Sequence, residues 1–344
     1  MSVDVTIKGA GVFGLSSALA LAKRGLKVRV VDPKGIGAGA SGGLIGALAP
    51  HAPEGWKPLK AFQLKALLSA EAFWTEVAQI GGVEAGYGRL GRLQPIEKES
   101  SLAAMRQREE NAKTLWQGRA EWRVLPATGA DWEPHSPSGY LVHDTLTARI
   151  SPRRALQALA AALCALGGEI VQEAADEGLI LHATGAAGLV ELSSQIGRKL
   201  GGGQKGQAAL LRYDARDLPQ IYDSGIYIVP HADGTLAIGS TSENEYEHEE
   251  VDQQLHDLIA KARTLLPILV KAEVIELWTS LRPRTKMRGP VLGAWPEKSG
   301  HFIANGGFKI GFGLAPLIGE AMADLITKGE MDIPTEMRIE ALLA

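Results

Sequence analysis

The residues near the start of the chain whose spacing could do chemistry are glycines. Gly9-Ala10-Gly11-Val12-Phe13-Gly14 spells G-x-G-x-x-G between a short apolar run and a helical pattern. In that setting the first glycine makes a tight turn, the second lets backbone approach a pyrophosphate, and the third lets helix meet strand. Asp32 follows Gly14 by 18 residues, at the end of the next apolar run. A carboxylate there accepts both ribose hydroxyls of an adenosine and repels a 2′-phosphate. The pattern predicts dinucleotide binding without saying which dinucleotide. The eight histidines form no H-x-x-x-H or Cys/His spacing, so no metal site is expected. Ser16 and Ser17 lie in no G-x-S-x-G elbow, which leaves a hydrolase unsupported.

These groups have to be positioned by regular elements. Residues 3–8 read as a buried strand, 12–24 as a helix and 27–31 as a second strand, a βαβ unit in which Gly14, Ser17 and Ala18 leave a smooth helix face. Residues 33–55 are rich in Gly, Ala and Pro without periodicity, a loop long enough to be functional and expected to pack on a ligand. Helical patterns follow at 59–80 and 101–116, with strand-like pieces at 89–96 and 139–142. Ser151-Pro152-Arg153 opens another helix, with Ser as N-cap and Pro in the first turn, running to 167. Strands are expected at 169–171 and 179–182, the latter ending in residues 183–188, where Ala183-Thr184-Gly185 by itself is as readily a plain strand-end turn. Further strands are read at 207–212, 226–229, 235–238 and 274–281, interrupted by a helix over 251–266. A glycine-rich turn over 306–313 precedes a last helix at 314–327.

Composition narrows the class. Glycine makes up 41 of 344 residues, about 12% against a usual ~7%, with no three-residue period, which excludes a collagen-like chain, a coiled coil and a disordered one. The net charge of −3 gives no global attraction to nucleic acid or anionic lipid, and no nucleic-acid partner is expected. No apolar run approaches the ~20 residues that span a bilayer, and the run over 12–22 lacks a basic leader. One cysteine, Cys164, allows no internal disulfide and fits a reducing compartment, so a cytoplasmic protein without a transmembrane segment is expected. Trp74 and Trp116 fit core faces. Residues 243–252, with six acids, read as a solvated loop and helix start. His51 either lines a pocket mouth or, on the preferred reading, faces solvent or serves structure.

Several segments, taken in order, carry a family resemblance. The fingerprint at Gly9, the loop Ala40-Ser41-Gly42 continuing to Gly46-Ala47-Leu48, His182-Ala183-Thr184-Gly185, Tyr227-Ile228-Val229-Pro230, Ile238-Gly239-Ser240-Thr241, Leu281-Arg282-Pro283 and residues 307–316 span nearly the whole chain. Together they resemble the FAD-dependent amino-acid oxidase superfamily that contains D-amino-acid oxidases and dehydrogenases, glycine oxidase and sarcosine oxidase. The resemblance implies an α/β fold: a Rossmann-like FAD-binding domain over 1–50, 140–200 and 282–344, interrupted by an α+β substrate domain with an antiparallel sheet over 51–139 and 201–281. It implies non-covalent FAD held by Gly9, Gly11, Phe13, Gly14, Asp32, Ser41, Gly42, Gly46, Ala47, Leu48, Thr184 and Gly185, with Gly307, Phe308, Lys309, Ile310 and Gly311 near the flavin N1/C2 edge.

Arg282 matches the family's carboxylate-binding arginine; a planar guanidinium grips a carboxylate through two parallel hydrogen bonds. By residue type alone, a strand arginine is more often a surface ion-pair partner. Tyr227 matches a pocket tyrosine whose hydroxyl reaches the same carboxylate. Where glycine oxidase has a second arginine this chain has Lys309, so the second carboxylate or electrostatic contact either falls to Lys309 or is lost. The implied reaction takes hydride from an alpha carbon to flavin N5 and leaves an imine for water to hydrolyse, with a small amino acid or secondary amino acid as substrate and oxygen or a quinone as electron acceptor. Two other readings stand beside it: action on a carboxymethylamino group of modified tRNA, since residues 40–50 also resemble the flavin half of a tRNA-modifying enzyme, and a non-catalytic flavin-binding regulatory protein.

Overall fold

A computed structural model describes residues 2–344. The βαβ unit forms as its pattern predicts, from strand Val5–Lys8, helix Val12–Lys23 and strand Val28–Val31. Val5, Ile7, Val28 and Val30 are almost wholly buried, as parallel strands covered on both faces should be. Val28–Val31 pairs in parallel with Val5–Lys8 on one side and with Glu169–Val171 on the other. Strand Leu179–His182 joins next to Val5–Lys8 through the Leu179 N–H to the Asp4 carbonyl (2.9 Å) and the Ala183 N–H to the Lys8 carbonyl (2.7 Å). It pairs in turn with His301–Asn305, itself antiparallel to Val291–Ala294.

A second sheet of eight strands is antiparallel apart from the parallel contact of Gln220–Asp223 with Arg92–Pro95. Its order runs Glu273–Thr285, Gly201–Arg212, Thr235–Gly239, Ile226–Pro230, Gln220–Asp223, Arg92–Pro95, Tyr140–Asp144, Trp122–Pro126. Tyr140–Asp144, expected with the nucleotide-binding part, is therefore a strand of this sheet. Its neighbours on both sides come from it, and a boundary at 140 would cut the sheet. The α/β architecture with a largely antiparallel second sheet is otherwise the expected one.

Two local readings change. Residues 183–188 are not a simple turn: helix Gly185–Ile196 starts there, after Thr184. Ser151 does stand before helix Pro152–Ala165, yet its hydroxyl makes no capping bond; its carbonyl instead accepts the first helical bond, from Ala155 N–H at 2.8 Å. Trp74 and Trp116 are core residues, 2% and 0% exposed.

The nucleotide-side helices approach closely because small residues face each other. A Cβ on Gly319, within helix Gly311–Lys328, would lie 2.6 Å from the Ser16 carbonyl oxygen of helix Val12–Lys23. Such an overlap forces backbone to move, since neither atom belongs to a flexible side chain. Gly319→Ala is therefore expected to destabilise the protein by roughly 1–3 kcal/mol, read as a lower urea midpoint. Gly202→Ala, where added bulk meets nothing within 4 Å, should leave the midpoint unchanged or raised.

Candidate functional site

The opening turn is built by close backbone approach. Gly9 has φ +109°, and a Cβ there would sit 2.4 Å from the Ala183 carbonyl oxygen; one on Gly14 would sit 2.0 Å from the Gly9 carbonyl oxygen. Only glycine satisfies both conditions. The long loop after Asp32 folds back onto this turn, with the Gly37 N–H on the Ala10 carbonyl (3.1 Å) and Ser41 Oγ accepting from the Val12 N–H (3.1 Å) at the start of the helix. Asp32 accepts from the Ala10 N–H (2.9 Å) and the Lys34 N–H (3.0 Å), and each carboxylate oxygen retains capacity for a further donor.

These groups border one cavity of about 1070 Å³, just above the ~300–1,000 Å³ range of ligand pockets. Gly9, Gly11, Phe13, Asp32, Ser41, Gly46, Ala47, Thr184 and Gly185 line it on the nucleotide side, and Tyr227, Arg282 and Gly307, Phe308, Lys309, Ile310 and Gly311 line it beyond. Gly14, Gly42 and Leu48 do not. Gly14 seats the helix on the strand, Gly42 packs on the Gly37 carbonyl, and Leu48 is 1% exposed in the core. Phe13 lines the cavity from a packed position, its ring so near Gly307 that a Cβ there would lie 2.8 Å away. The Thr184 hydroxyl is buried with no partner.

The final glycine-rich turn is more committed than its composition predicts. Phe308 has φ +44°, and its N–H is spent on the Pro283 carbonyl at 3.1 Å. The open donors here are those of Gly311, Phe312 and Gly313, which begin helix Gly311–Lys328, line the cavity, and have no carbonyl behind them in the helix.

Arg282 lies on strand Glu273–Thr285 and is 8% exposed. Its guanidinium crosses the neighbouring strand directly over Gly206, where a Cβ would be 2.0 Å from Cζ. One N–H donates to the Thr241 carbonyl at 3.0 Å, and no carboxylate among the described residues lies within ion-pair distance. Burial pushes the guanidinium down to about 10, opposed by the Glu243 carboxylate, so it is a cation at neutral pH. Tyr227 is held on its ring by Tyr222, with centroids 4.5 Å apart, and burial pushes its phenol up. Lys309 Nζ donates to Ser242 Oγ at 2.7 Å and sits 5.6 Å from the Phe308 ring centroid; burial, then Arg282 and Arg284, push its amine down.

Some lining residues are the less favoured reading of the sequence, as with His51, or carry no signal in it, as with Gln63 and Trp278. His51 borders the cavity rather than solvent, its Nδ1 buried without a partner and its backbone N–H on Gln63 Oε1 at 3.0 Å. Gln63 and Trp278 also line it, and Trp278 stacks so closely on Gly43 that a Cβ there would be 2.9 Å from the indole. The acidic run at 243–252 is not simply solvated. Glu243 is 6% exposed, and it flanks the fully buried Lys205, whose Nζ lies 3.4 Å from Glu243 and 2.6 Å from Asp252. Among the described residues no cluster fit to hold a metal occurs, and no helix is long and apolar enough to cross a membrane.

Comparison with known proteins shows the family and the fold. The chain is 28% identical to the glycine oxidase of Geobacillus kaustophilus (strain HTA426), over 95% of this chain and 93% of that one. The crystal structure of glycine oxidase from Geobacillus kaustophilus superposes with a TM-score of 0.83 at 24% identity, covering 96% of each chain. That of iminodiacetate oxidase from Chelativorans sp. BNC1 gives 0.84 at 21% identity, covering 96% of this chain and 97% of that one. The family model described as FAD dependent oxidoreductase matches residues 4–325, almost the full length that carries the cavity, and the chain belongs to that family: it is an FAD-dependent oxidoreductase.

Proposed function

We propose that the protein oxidises an amine alpha to a carboxylate, in a small amino acid or an N-substituted amino acid, to an imine that water hydrolyses to an oxo acid and ammonia or an amine. The observation that carries this reading is Arg282, a nearly buried cation with one carbonyl acceptor and the rest of its fork facing a cavity. A carboxylate completes that fork with two parallel bonds. The names of the similar proteins, glycine oxidase and iminodiacetate oxidase, point to the same amine chemistry.

FAD fits the rest of the cavity. Gly9 and Gly11 line the cavity where helix Val12–Lys23 begins and put no side chain in the way of a diphosphate, and Asp32 lines the same side with carboxylate oxygens that keep acceptor capacity for a ribose. When bound non-covalently, FAD supplies the acceptor for the hydride leaving the alpha carbon. Arg282 orients the substrate by its carboxylate, Tyr227 adds a hydroxyl donor, and Lys309 adds a second positive charge at the mouth. The helix-opening N–H groups of residues 311–313 stabilise negative charge that develops beside them. Gly14, Gly42 and Leu48 support these contacts by packing. The labour divides between a nucleotide part, over 1–50, 145–200 and 286–344, and a substrate part that includes the whole eight-stranded sheet. Oxygen or a quinone takes the electrons onward, and the free Cys164 is consistent with a cytoplasmic setting.

Anaerobic mixing of the yellow protein with glycine, N-methylglycine, iminodiacetate and a set of D- and L-amino acids should bleach the flavin with at least one of them. A flavin untouched by every such amine overturns the reading. Arg282→Met should raise KM roughly 100-fold while leaving the flavin spectrum intact; loss of flavin would mean that Arg282 serves the cofactor. Gly206→Ala, which inserts a Cβ where the guanidinium lies, should reproduce the KM effect of Arg282→Met in a protein that still binds FAD.

A further inference from the structure

Beside Tyr227, on the same face of the eight-stranded sheet, is an ion pair that the proposed chemistry has not used. Arg92 and Asp144 face each other on adjacent strands, with side chains 5% and 0% exposed and Arg92 Nε donating to Asp144 Oδ2 at 2.9 Å. The other carboxylate oxygen accepts from the Thr147 N–H at 2.8 Å. Arg92 has further donors, and one of them, Nη1, points to the Tyr227 hydroxyl oxygen at 3.4 Å. The guanidinium also lies 5.4 Å from the centroid of Tyr222, the residue whose ring packs on Tyr227.

A buried ion pair is poor value as a source of stability, because well-packed apolar residues of similar volume do as well or better. What an apolar pair cannot do is donate to a phenol oxygen. An oxygen that accepts from Arg92 has to turn its own O–H elsewhere, since two hydrogens cannot share one direction. Tyr227 lines the cavity, which is where that proton can find an acceptor. Donation from a cation also polarises the phenol and strengthens its own hydrogen bond.

We propose that Arg92, held by Asp144, is a positioning residue that fixes Tyr227 as a hydrogen-bond donor to the substrate carboxylate opposite Arg282. This rests on the reading of the cavity as a carboxylate site. Arg92 touches neither substrate nor cofactor; its effect passes through one hydroxyl group. A neutral acceptor is therefore favoured less than an anion at this position, and the carboxylate is bound from two sides by one charged and one charge-assisted donor.

The test is a double-mutant cycle on the FAD-loaded protein, with acetate as a non-oxidisable probe followed by the change it causes in flavin absorbance. Arg92→Met combined with Asp144→Asn removes both charges, and Arg92→Lys keeps the cation on a stem without the fork, so that a folded variant is available if the first is unstable. With Tyr227 present, either change should weaken acetate roughly 10-fold and raise KM by a similar factor at unchanged kcat. In a Tyr227→Phe background the same changes should add nothing. Equal weakening in both backgrounds, or undiminished acetate binding with Tyr227 present, overturns the proposal alone. A wild-type flavin that no carboxylate perturbs overturns both the proposal and the site reading beneath it.

Discussion

A guanidinium taken out of water must be given acceptors, and Arg282 is given one carbonyl. That constraint organises the substrate half of the molecule. The side chain can lie where it does because position 206 on the adjacent strand has no Cβ, and its remaining donors reach open space because the cavity is there. Its strand is at the edge of the sheet, and the one neighbouring strand, Gly201–Arg212, carries no carboxylate. The charge is thus left for a ligand to neutralise, and an anion entering the cavity gains an interaction that water cannot match at comparable cost.

The support for Arg282 is electrostatic as well as steric. Thr241, whose carbonyl it holds, gives its hydroxyl to Glu243, and Glu243 is tied to Lys205 and Gln207. Asp252 completes the cluster by bonding Lys205 and Gln207 and by accepting the Gln254 N–H at the start of helix Gln253–Leu265. Two carboxylates thus face one buried ammonium, and the surplus negative charge lies behind the carbonyl that Arg282 grips. A segment that carries six acids serves in this way as a scaffold for a cation on the opposite strand.

The difference between what was legible in the residues and what was not follows from range. The turn at Gly9 and the acid at 32 announce themselves because the physics at each is local, a tight turn and a strand-end carboxylate, whereas the arginine at 282 stands out only through the family resemblance. Glu243 looked solvated because its partner Lys205 is brought to it by strand pairing, and no periodicity within 243–252 contains that information. His51 and Gln63 become cavity residues only when helix Pro58–Gly81 packs beneath the loop. Strands 201–206 and 291–294 were missed for another reason: they are glycine-rich or very short, so intrinsic preference argues against what the sheet imposes. Helix Gly185–Ile196 began as an apparent turn because Gly185 stands at φ +62° at its first position.

The two halves of the cavity differ in how firmly they are determined. On the nucleotide side the contacts are backbone atoms packed against glycines, where the addition of a methyl group is intolerable, so the geometry admits little variation. On the substrate side the contacts are side chains on strands of one sheet, Tyr227, Arg282 and the neighbours that hold them, together with Lys309 on the final turn. A side chain can be exchanged without rebuilding a turn. A lysine stands at 309, held by a single serine hydroxyl and bearing the field of two arginines, and its flexible stem sets no fixed geometry for a ligand. On the proposed reading, orientation of the substrate then falls to Arg282 and to the hydroxyl of Tyr227, whose direction is set by Arg92 on the same face of the sheet. On that same reading discrimination among amines resides in the rigid pair, while the charge at 309 contributes attraction to anions with little preference for shape.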